Sequence, residues 1–192
     1  MTMAKVYVFL ANGFEDIEAL IPVDVLRRGG VEVVTVSVVE GSQVVETAHR
    51  VRIEADKMFA DCDFADADVL MLPGGMPGAS NLNNHEGVRQ ALLKQNAAGK
   101  RVAAICAAPL VLGGLGLLRG KKATCYPGFE QTLEGATYTG DLCTVDGNVT
   151  TGEGPAAAFP FAYSLLSQLK GQQTADQVAV GMRYVHLMEK QF

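Results

Sequence analysis

The stretch that decides the fold is KRVAAICAAPL, residues 100–110. Its first part, up to Ile105, is a continuous apolar run, which is typical of a strand buried on both faces of a parallel sheet. Pro109 suits the first turn of a helix, because its missing N–H would have no intrahelical partner there. The sequence therefore predicts a passage from strand to helix across only the three residues 106–108.

Cys106 lies on this predicted elbow. Such an elbow lifts a nucleophile above the carboxyl end of a sheet, beside a helix N-terminus whose dipole and N–H groups favour a thiolate. We therefore expect Cys106 to have a pKa below the ~8.5 of an ordinary cysteine and to be the most easily modified of the four thiols. The alternative is an inert, buried cysteine that packs as a small apolar side chain.

Composition narrows the class of protein. With 192 residues, 48% of them hydrophobic and 19% charged, the chain is expected to form one domain over residues 1–192. A strand pattern at the start, and no apolar run near ~20 residues, predict a cytoplasmic protein without membrane contact. The net charge of −5, without a basic cluster, argues against nucleic acid as a partner. Four widely spaced cysteines, with no C-x-x-C pair, predict neither a disulfide scaffold nor a metal site.

Strand and helix patterns alternate from the start of the chain. A strand at 6–10, a helix at 16–28 and a strand at 31–38 form a βαβ unit and so predict a parallel sheet. Pro22 falls inside that helix and predicts a kink or a two-part helix. Before Cys106, the later predicted elements are a hairpin within 44–53, a solvated acidic loop at 61–68, a strand at 69–72, and a helix that is capped by Asn83 and Glu86 and ends at Gly99. After Cys106, they are a short helix after Pro109, a short strand at 121–126, and a hairpin of 142–145 with 149–151.

Two helices are predicted at the end of the chain. One follows Pro155, and its regular part is expected to begin late because of Pro160. The last is capped by Thr174 and Gln177 and has Val178, Met182 and Val185 on one face.

Gly74 and Gly75 follow Pro73 at the end of the strand 69–72. Paired glycines there let the backbone turn sharply and bring its N–H groups close to a ligand, although they can equally form only a turn. Ligands of open α/β sheets bind at the carboxyl ends of strands, which is the edge where Cys106 is expected.

A nucleophilic cysteine is usually activated by a neighbouring base. The three histidines are not at strand ends: His49 lies in a hairpin, His85 before a helix and His186 in the last helix. Carboxyl groups are better placed, since Glu15, Asp16 and Glu18 follow the first strand at the Cys106 edge. Acidic residues are also favoured in a first helical turn, so the residues alone leave Glu18 open between capping and chemistry.

Several motifs in the right order resemble the ThiJ/PfpI family over nearly the whole chain. They are GxExxE from Gly13, IPVDVLRRGG from Ile21, LPGG from Leu72, AAICAAP from Ala103 and Gly154-Pro155. The resemblance implies an α/β fold: a flavodoxin-like three-layer sandwich with a mostly parallel central sheet and a cysteine on a nucleophile elbow. It also implies a homodimer.

For the site, the resemblance implies that Cys106 is the reactive thiol and that Glu18 is a protonated carboxyl hydrogen-bonded to it. The backbone at Gly74, Gly75 and Ala107 would bind an oxyanion. The implied activity is cofactor-free conversion of small reactive aldehydes or their adducts, as in a glutathione-independent glyoxalase or deglycase. The alternative is a thiol-based sensor of oxidative stress, or a redox-regulated chaperone, without turnover.

Two departures from the family pattern concern this site. Tyr126 stands where some members carry a histidine near the cysteine, so the peptidase activity attached to one branch ranks lower, as does a thiamine-pathway role. Glu153 precedes Gly154-Pro155 where the deglycase branch has an arginine, which disfavours an anion site. Cys125 is either a resolving thiol or a coincidental neighbour, and Pro155 is a further candidate pocket residue. His49 would reach the site only from a partner subunit.

Overall fold

The computed structural model describes residues 3–190 of the chain. Its strands are β1 Lys5–Leu10, β2 Glu32–Ser37, β3 Val44–Glu46, β4 Arg52–Glu54, β5 Lys57–Met58, β6 Val69–Leu72, β7 Arg101–Ile105, β8 Lys122–Ala123, β9 Thr137–Tyr138, β10 Cys143–Asp146 and β11 Val149–Gly152. Its α-helices are α1 Asp16–Arg28, α2 Gly78–Asn84, α3 Glu86–Ala97, α4 Pro109–Gly114, α5 Ala158–Lys170, α6 Gln172–Gly181 and α7 Tyr184–Glu189. Short 3₁₀ turns lie at Phe59–Asp61, Phe64–Asp66, Glu130–Thr132 and Pro155–Ala157.

A seven-stranded sheet forms the centre of the protein, in the order β10-β11-β7-β6-β1-β2-β5. All neighbouring pairs are parallel except β10 with β11, which form the predicted hairpin. The chain moves from β1 to β2 in one direction along the sheet and from β6 to β7 in the other. Since such crossovers are right-handed, α1 covers one face and α2 with α3 the other. The predicted sandwich with a mostly parallel sheet is confirmed.

The central strands are buried on both faces, as their apolar runs require. All four residues of β6 are buried, as are the last four of β7 and the last five of β1. Burial on both faces explains why these segments have no alternation of polar and apolar residues. Since these strands are parallel, the residues that follow Leu10, Leu72 and Ile105 all lie at the same end of the sheet, where the strands have their carboxyl ends.

Helix α1 is uninterrupted, so the expectation of two parts at Pro22 is wrong. Proline inside a helix removes one hydrogen bond and costs ~3 kcal/mol. Pro22 is itself buried, and Val25 and Leu26 are fully buried along the helix, which packs against α5. This packing offsets the lost hydrogen bond. Helix α5 also begins before its proline, Pro160, because the 3₁₀ turn at Pro155–Ala157 leads directly into it.

Three predicted helix ends are wrong. Asn83 lies inside α2, which the sequence analysis missed, and His85 instead caps α3 by accepting the Val88 N–H at Nδ1, 3.1 Å away. Thr174 lies inside α6, whose N-cap is Gly171. The last helix breaks at Arg183, which has a left-handed φ of 63°, so Val178 and Val185 lie on different helices.

The other predicted elements are present. Strands β3 and β4 form the antiparallel hairpin, and the helix after Pro109 is short. The predicted strand at 121–126 is reduced to β8. Within residues 3–190, no helix combines the length and the apolar character that crossing a membrane requires.

Candidate active site

Cys106 occupies the turn between β7 and α4 with a left-handed backbone φ of 64°. An L-residue pays about 1–2 kcal/mol for this conformation, so neighbouring contacts must hold it. The Cys106 N–H donates to the Gly152 carbonyl, and the Cys106 carbonyl accepts from the Tyr126 N–H, both at 2.9 Å. Pro109 is the first residue of α4, as predicted. The residue itself is 8% exposed, so a small molecule reaches the thiol only through a narrow opening.

Glu18 lies in the first turn of α1 and is fully buried. Its backbone N–H donates to Glu15 Oε2 at 2.8 Å, since Glu15 is the N-cap of the helix. Its side chain Oε2 accepts the N–H of Gly74 at 2.9 Å. Glu15 therefore does the capping, and the Glu18 carboxyl is free to point into the space between α1 and the ends of β6 and β7.

The Glu18 carboxyl and the Cys106 side chain meet around Gly74. A Cβ placed on Gly74 would lie 2.6 Å from Glu18 Oε2 and 2.7 Å from Cys106 Cβ, so only glycine leaves room for both. The Cys106 thiol faces the carboxyl, while Glu18 Oε1 is buried and has no partner of full hydrogen-bond geometry within residues 3–190. The structure thus places the two residues side by side, with Glu18 fully buried and Cys106 nearly so.

Burial raises the pKa of both groups, and the Glu18 carboxyl raises that of Cys106 further. Burial raises the pKa of Glu18 from 4.5 to about 7; the Cys106 thiol and the Gly74 N–H oppose this rise, and the neighbouring Glu15 adds to it. Burial, followed by the Glu18 charge, raises the pKa of Cys106 to about 12. The expected low pKa of Cys106 is therefore wrong: loss of solvation and a facing carboxylate outweigh the nearby N–H groups. At neutral pH the site therefore contains a protonated Cys106 thiol beside a Glu18 carboxyl that is partly ionised.

The backbone N–H groups of Gly75 and Ala107 lie near the Cys106 sulfur and lower the pKa of the thiol, against the effect of burial. Gly75 has a φ of 82°, and a Cβ there would lie 2.4 Å from the Glu15 nitrogen, so this turn requires glycine. Gly74 contributes its N–H to Glu18 instead of to the sulfur. The predicted backbone donors are thus at the site, divided between the thiol and the carboxyl.

The remaining predicted pocket residues lie on two segments, one that follows β8 and one that follows β11. Tyr126 follows the fully buried Cys125, and its side chain is 46% exposed and packs near Gly154. Burial raises the pKa of Cys125 to about 11, which does not favour a resolving thiolate. Glu153 and Pro155 lie on the connection that leaves β11, where the Glu153 N–H donates to the Leu142 carbonyl.

None of the three histidines contacts Cys106 within the described residues. His49 Nδ1 lies 2.7 Å from Asp16 Oδ2, and this carboxylate raises the pKa of His49. His85 packs on Phe59 as the cap of α3, and His186 lies in α7. The ligand atoms of Asp16, His49 and Glu15 come within 4.8 Å of one another, a metal-like spacing that their separation in sequence concealed. Glu15 and Asp16 are already engaged in hydrogen bonds, and we assign no metal to them.

The contribution of Gly152 was not predicted from the sequence. Its carbonyl holds the Cys106 N–H, and a Cβ at this position would lie 2.9 Å from the Ile105 side chain. Glycine inside a strand marks a close approach of neighbouring groups, and this signal was present in the sequence. The residue fixes the elbow through the backbone and takes no part in chemistry.

An open α/β sandwich with a cysteine on a strand-to-helix elbow, facing a buried carboxyl, defines a class of proteins. The sequence profile of the DJ-1/PfpI family matches residues 4–168. The chain belongs to the DJ-1/PfpI family, which confirms the resemblance drawn from its motifs.

Three relatives illustrate the similarity. Protein DJ-1 homolog B of Arabidopsis thaliana is 41% identical over 177 residues, which are 91% of this chain and 40% of that protein. This chain thus spans about two fifths of that plant protein. The glutathione-independent glyoxalase DJR-1.2 of Caenorhabditis elegans is 31% identical over 166 residues, 85% of this chain and 87% of that protein. The crystal structure of Drosophila melanogaster DJ-1beta superposes with a TM-score of 0.90 at 34% identity, covering 94% of this chain and 98% of that one.

Proposed function

We propose that this protein is a cysteine-dependent enzyme that converts small 2-oxoaldehydes into 2-hydroxy acids without glutathione. The observation that carries the proposal is the burial of the Glu18 carboxyl against the Cys106 thiol, with a Glu18 pKa of about 7. A general base works best when its pKa lies near the working pH. One relative is named a glutathione-independent glyoxalase, which agrees with this chemistry.

The first step is addition of Cys106 to the aldehyde carbon. A sulfur–carbon bond forms, the π bond of the aldehyde breaks, and the thiol proton passes to the Glu18 carboxylate. A base is required because the raised pKa of Cys106 leaves little thiolate at neutral pH. The N–H groups of Gly75 and Ala107 lie near the sulfur and would stabilise the oxyanion that forms beside it. The proton then moves to this oxygen and gives a hemithioacetal.

The second step is an internal rearrangement. Glu18 removes the hydrogen of the former aldehyde carbon as a proton and returns it to the neighbouring carbonyl carbon, while the hydroxyl proton of the hemithioacetal moves to the neighbouring carbonyl oxygen. The first carbon is thereby oxidised to a thioester and the second is reduced to an alcohol, so no external oxidant or reductant enters. Water then cleaves the thioester, which releases the 2-hydroxy acid and restores the Cys106 thiol. Glu18 thus carries the proton between the two carbons, and the water that cleaves the thioester supplies the proton that restores the thiol.

Incubation with methylglyoxal, in the absence of glutathione, tests the proposal. Lactate is expected from the wild-type protein, with loss of at least ~10²-fold in Cys106→Ser and Glu18→Gln, since removal of a nucleophile or its base has effects of this order. Cys143→Ser is the matched control, because Cys143 is another free, half-buried cysteine. Lactate formation that does not exceed the Cys106→Ser level would exclude the enzyme.

The second candidate is an oxidation sensor or a redox-regulated chaperone without turnover. The two N–H groups and the Glu18 carboxyl around the sulfur suit an oxidised Cys106, in which two equivalents of peroxide have each added one oxygen to give a sulfinic acid. Mass spectrometry after peroxide treatment, combined with an aggregation-suppression assay, separates the candidates. A sensor shows sulfinic acid at Cys106 and no lactate, whereas an enzyme loses its lactate production on oxidation.

We further propose a homodimer in the cytoplasm. Ile17 and Leu20 are exposed on one side of α1, and Val51 is exposed on the neighbouring hairpin, which contacts the start of α1 through His49 and Asp16. Apolar side chains on adjoining elements suit the face of a second copy. Leu20→Lys is expected to convert a dimeric mass in light scattering into a monomeric one, and a monomeric wild-type protein would exclude the dimer. All four cysteines are free, as is usual in the reducing cytoplasm.

A further inference from the structure

A cavity of about 420 Å³ lies between helix α3 and the loop that precedes β6. Its walls come from residues 62–65, from one side of α3 and from Lys100, which directly precedes β7. These segments meet at the amino ends of β6 and β7, whereas Cys106 follows the carboxyl end of β7. The cavity therefore lies at the opposite end of the strands from the candidate active site. Its volume is within the range of small-molecule sites.

The buried polar group of this cavity is Gln95, which is 5% exposed. Its Nε2 donates to the carbonyls of Ala67 and Arg101, at 3.2 Å each, and two carbonyl partners fix the orientation of the amide. Oε1 has no hydrogen-bond partner within residues 3–190, and it is not completely shielded from solvent. A buried acceptor left unpaired is unfavourable, and this one is open to a donor that enters the cavity.

The charged side chains at the rim of the cavity favour a ligand with a single negative charge. Lys94 is exposed on α3 and forms no ion pair within the described residues, while Lys100 donates from Nζ to the Ala65 carbonyl at 2.7 Å. The one carboxylate of the lining, Asp63, accepts the Ala65 N–H at 3.0 Å. Two cations against one carboxylate leave a net positive rim, and Lys94 is the cation with its three N–H donors uncommitted to protein groups.

The apolar wall includes an aromatic ring that packs against the core. Phe64 lines the cavity and packs edge-on against Tyr7 and Phe9, with ring centroids 5.1 Å away in both cases. Ala91 lines the opposite, helical wall. Aromatic rings favour flat, apolar ligands that stack on them.

We propose that this cavity binds a small aromatic monocarboxylate that carries one N–H or O–H donor. The donor pairs with Gln95 Oε1, the ring lies against Phe64, and the carboxylate pairs with Lys94 at the mouth. This binding site is independent of the proposed enzyme activity, because its residues lie on the other edge of the sheet.

Indole-3-acetate is the probe that tests the site. The chain contains no tryptophan, so the indole fluorescence of the probe reports binding directly. Saturable binding is expected, weakened roughly fivefold or more for 3-indole-ethanol, which lacks the carboxylate, and for 1-naphthaleneacetate, which lacks the N–H. Lys94→Gln is expected to weaken indole-3-acetate to the same extent and to leave the binding of 3-indole-ethanol unchanged. Cys106→Ser is expected to bind as the wild type does.

A chemical readout locates the ligand. The Cys62 thiol lines the cavity, so bound indole-3-acetate is expected to slow alkylation of Cys62 but not of Cys143. Ala91→Leu, which fills the helical wall, is expected to abolish both binding and protection. Absence of binding, equal affinity for the three probes, or loss of binding in Cys106→Ser would overturn the proposal. Unchanged alkylation of Cys62 at saturating probe would overturn it as well, without any substitution that perturbs folding.

Discussion

The N–H of Gly74 donates to Glu18 Oε2 at 2.9 Å, and Gly74 has no space for a Cβ beside that oxygen. In Gly74→Ala the added carbon would lie 2.6 Å from Oε2 and 2.8 Å from the Ile105 carbonyl, so the carboxyl must move away from Cys106. We expect a destabilisation of about 1–3 kcal/mol and a fall in kcat/KM for methylglyoxal of at least ~10-fold. Urea unfolding and steady-state kinetics measure the two effects.

Gly181→Ala is the control for this substitution. A Cβ on Gly181, the last residue of α6, meets no atom within 4 Å, and its backbone is not left-handed. The control is expected to retain wild-type kinetics and equal or higher stability, since alanine is the better helix former. Equal activity of Gly74→Ala and Gly181→Ala would show that the position of the Glu18 carboxyl does not matter.

The buried carboxyl of Glu18 makes stability depend on pH. In the unfolded chain the group ionises near its ordinary pKa of 4.5, whereas the folded protein holds the proton up to about 7. The folded state therefore binds more protons between these values, and its stability is fully present below pH 4.5 and falls as pH rises to 7. The loss amounts to about 3 kcal/mol for this group. The free energy of unfolding, measured in urea at pH 5 and pH 8, is expected to show it.

Glu18→Gln removes this pH dependence and so isolates it. The free energy of unfolding of the variant, relative to the wild type, is expected to rise between pH 5 and pH 8 by the amount that the wild type loses. Glu40→Gln, at an exposed position in a turn, is the matched substitution and is expected to follow the wild-type profile. Parallel profiles of wild type and Glu18→Gln would show that Glu18 is already ionised at pH 5.

The catalytic activity is expected to depend on ionisation of the same carboxyl, but to rise with pH where the stability falls. Because the proposed first step needs Glu18 as a base, kcat/KM for methylglyoxal should fall about tenfold for each pH unit below the pKa of about 7. Stability and activity thus respond with opposite sign to one proton. A rate that rises toward acid pH would exclude Glu18 as the base.

The sequence predicted the layout of the site better than its electrostatics. The elbow at Cys106 and the placement of Glu18 follow from apolar runs, a proline and the rule that parallel strands end at one edge. The direction of the Cys106 pKa did not follow, because it depends on burial and on a contact between residues 88 positions apart. A nearby helix N-terminus is visible in a sequence, but the depth at which a thiol lies is not.

Helix α2 was missed for a similar reason. Helix α2, GASNLNN, has weak intrinsic propensity, yet Ala79 N–H donates to the Gly75 carbonyl and Asn81 Nδ2 to that of Asn12, at 2.8 Å each. These contacts belong to the turns of the site. Tertiary structure here supplies the stability that local sequence lacks.

The repulsion between Glu18 and Cys106 predicts an unusual effect of Glu18→Gln on thiol reactivity. A nearby like charge shifts a pKa by about 1–3 units, so its removal lowers the pKa of Cys106, although burial keeps that pKa above the ordinary value. Alkylation of Cys106 by iodoacetamide at pH 8 should then be roughly threefold to tenfold faster in Glu18→Gln, since a gain in thiolate exceeds the loss in nucleophilicity. Peptide mass spectrometry measures this, with Cys62 in the same digest as the internal reference. Slower alkylation in the variant would show that proton transfer from the thiol to Glu18, as in the proposed first step, outweighs the repulsion between the two groups.

The last prediction is that the protein does not hydrolyse peptides. Peptide cleavage needs a general acid that protonates a poor amine leaving group, the role of histidine in Cys-His enzymes. Within residues 3–190 no imidazole contacts Cys106: His49 is turned toward Asp16, and Tyr126 supplies its backbone N–H to the Cys106 carbonyl while its ring is half exposed. A phenol has no basic nitrogen that could take up and return a proton at neutral pH as an imidazole does.

Fluorogenic peptides and methylglyoxal, assayed side by side, test this reasoning. No cleavage is expected from the wild type, and Tyr126→Phe is expected to keep its lactate production, because the proposed proton path runs through Glu18. Cleavage that disappears in Cys106→Ser would contradict the prediction. If that cleavage also disappeared in His49→Ala, the imidazole would have to come from a partner subunit, since within one chain His49 is held 2.7 Å from Asp16 on the hairpin.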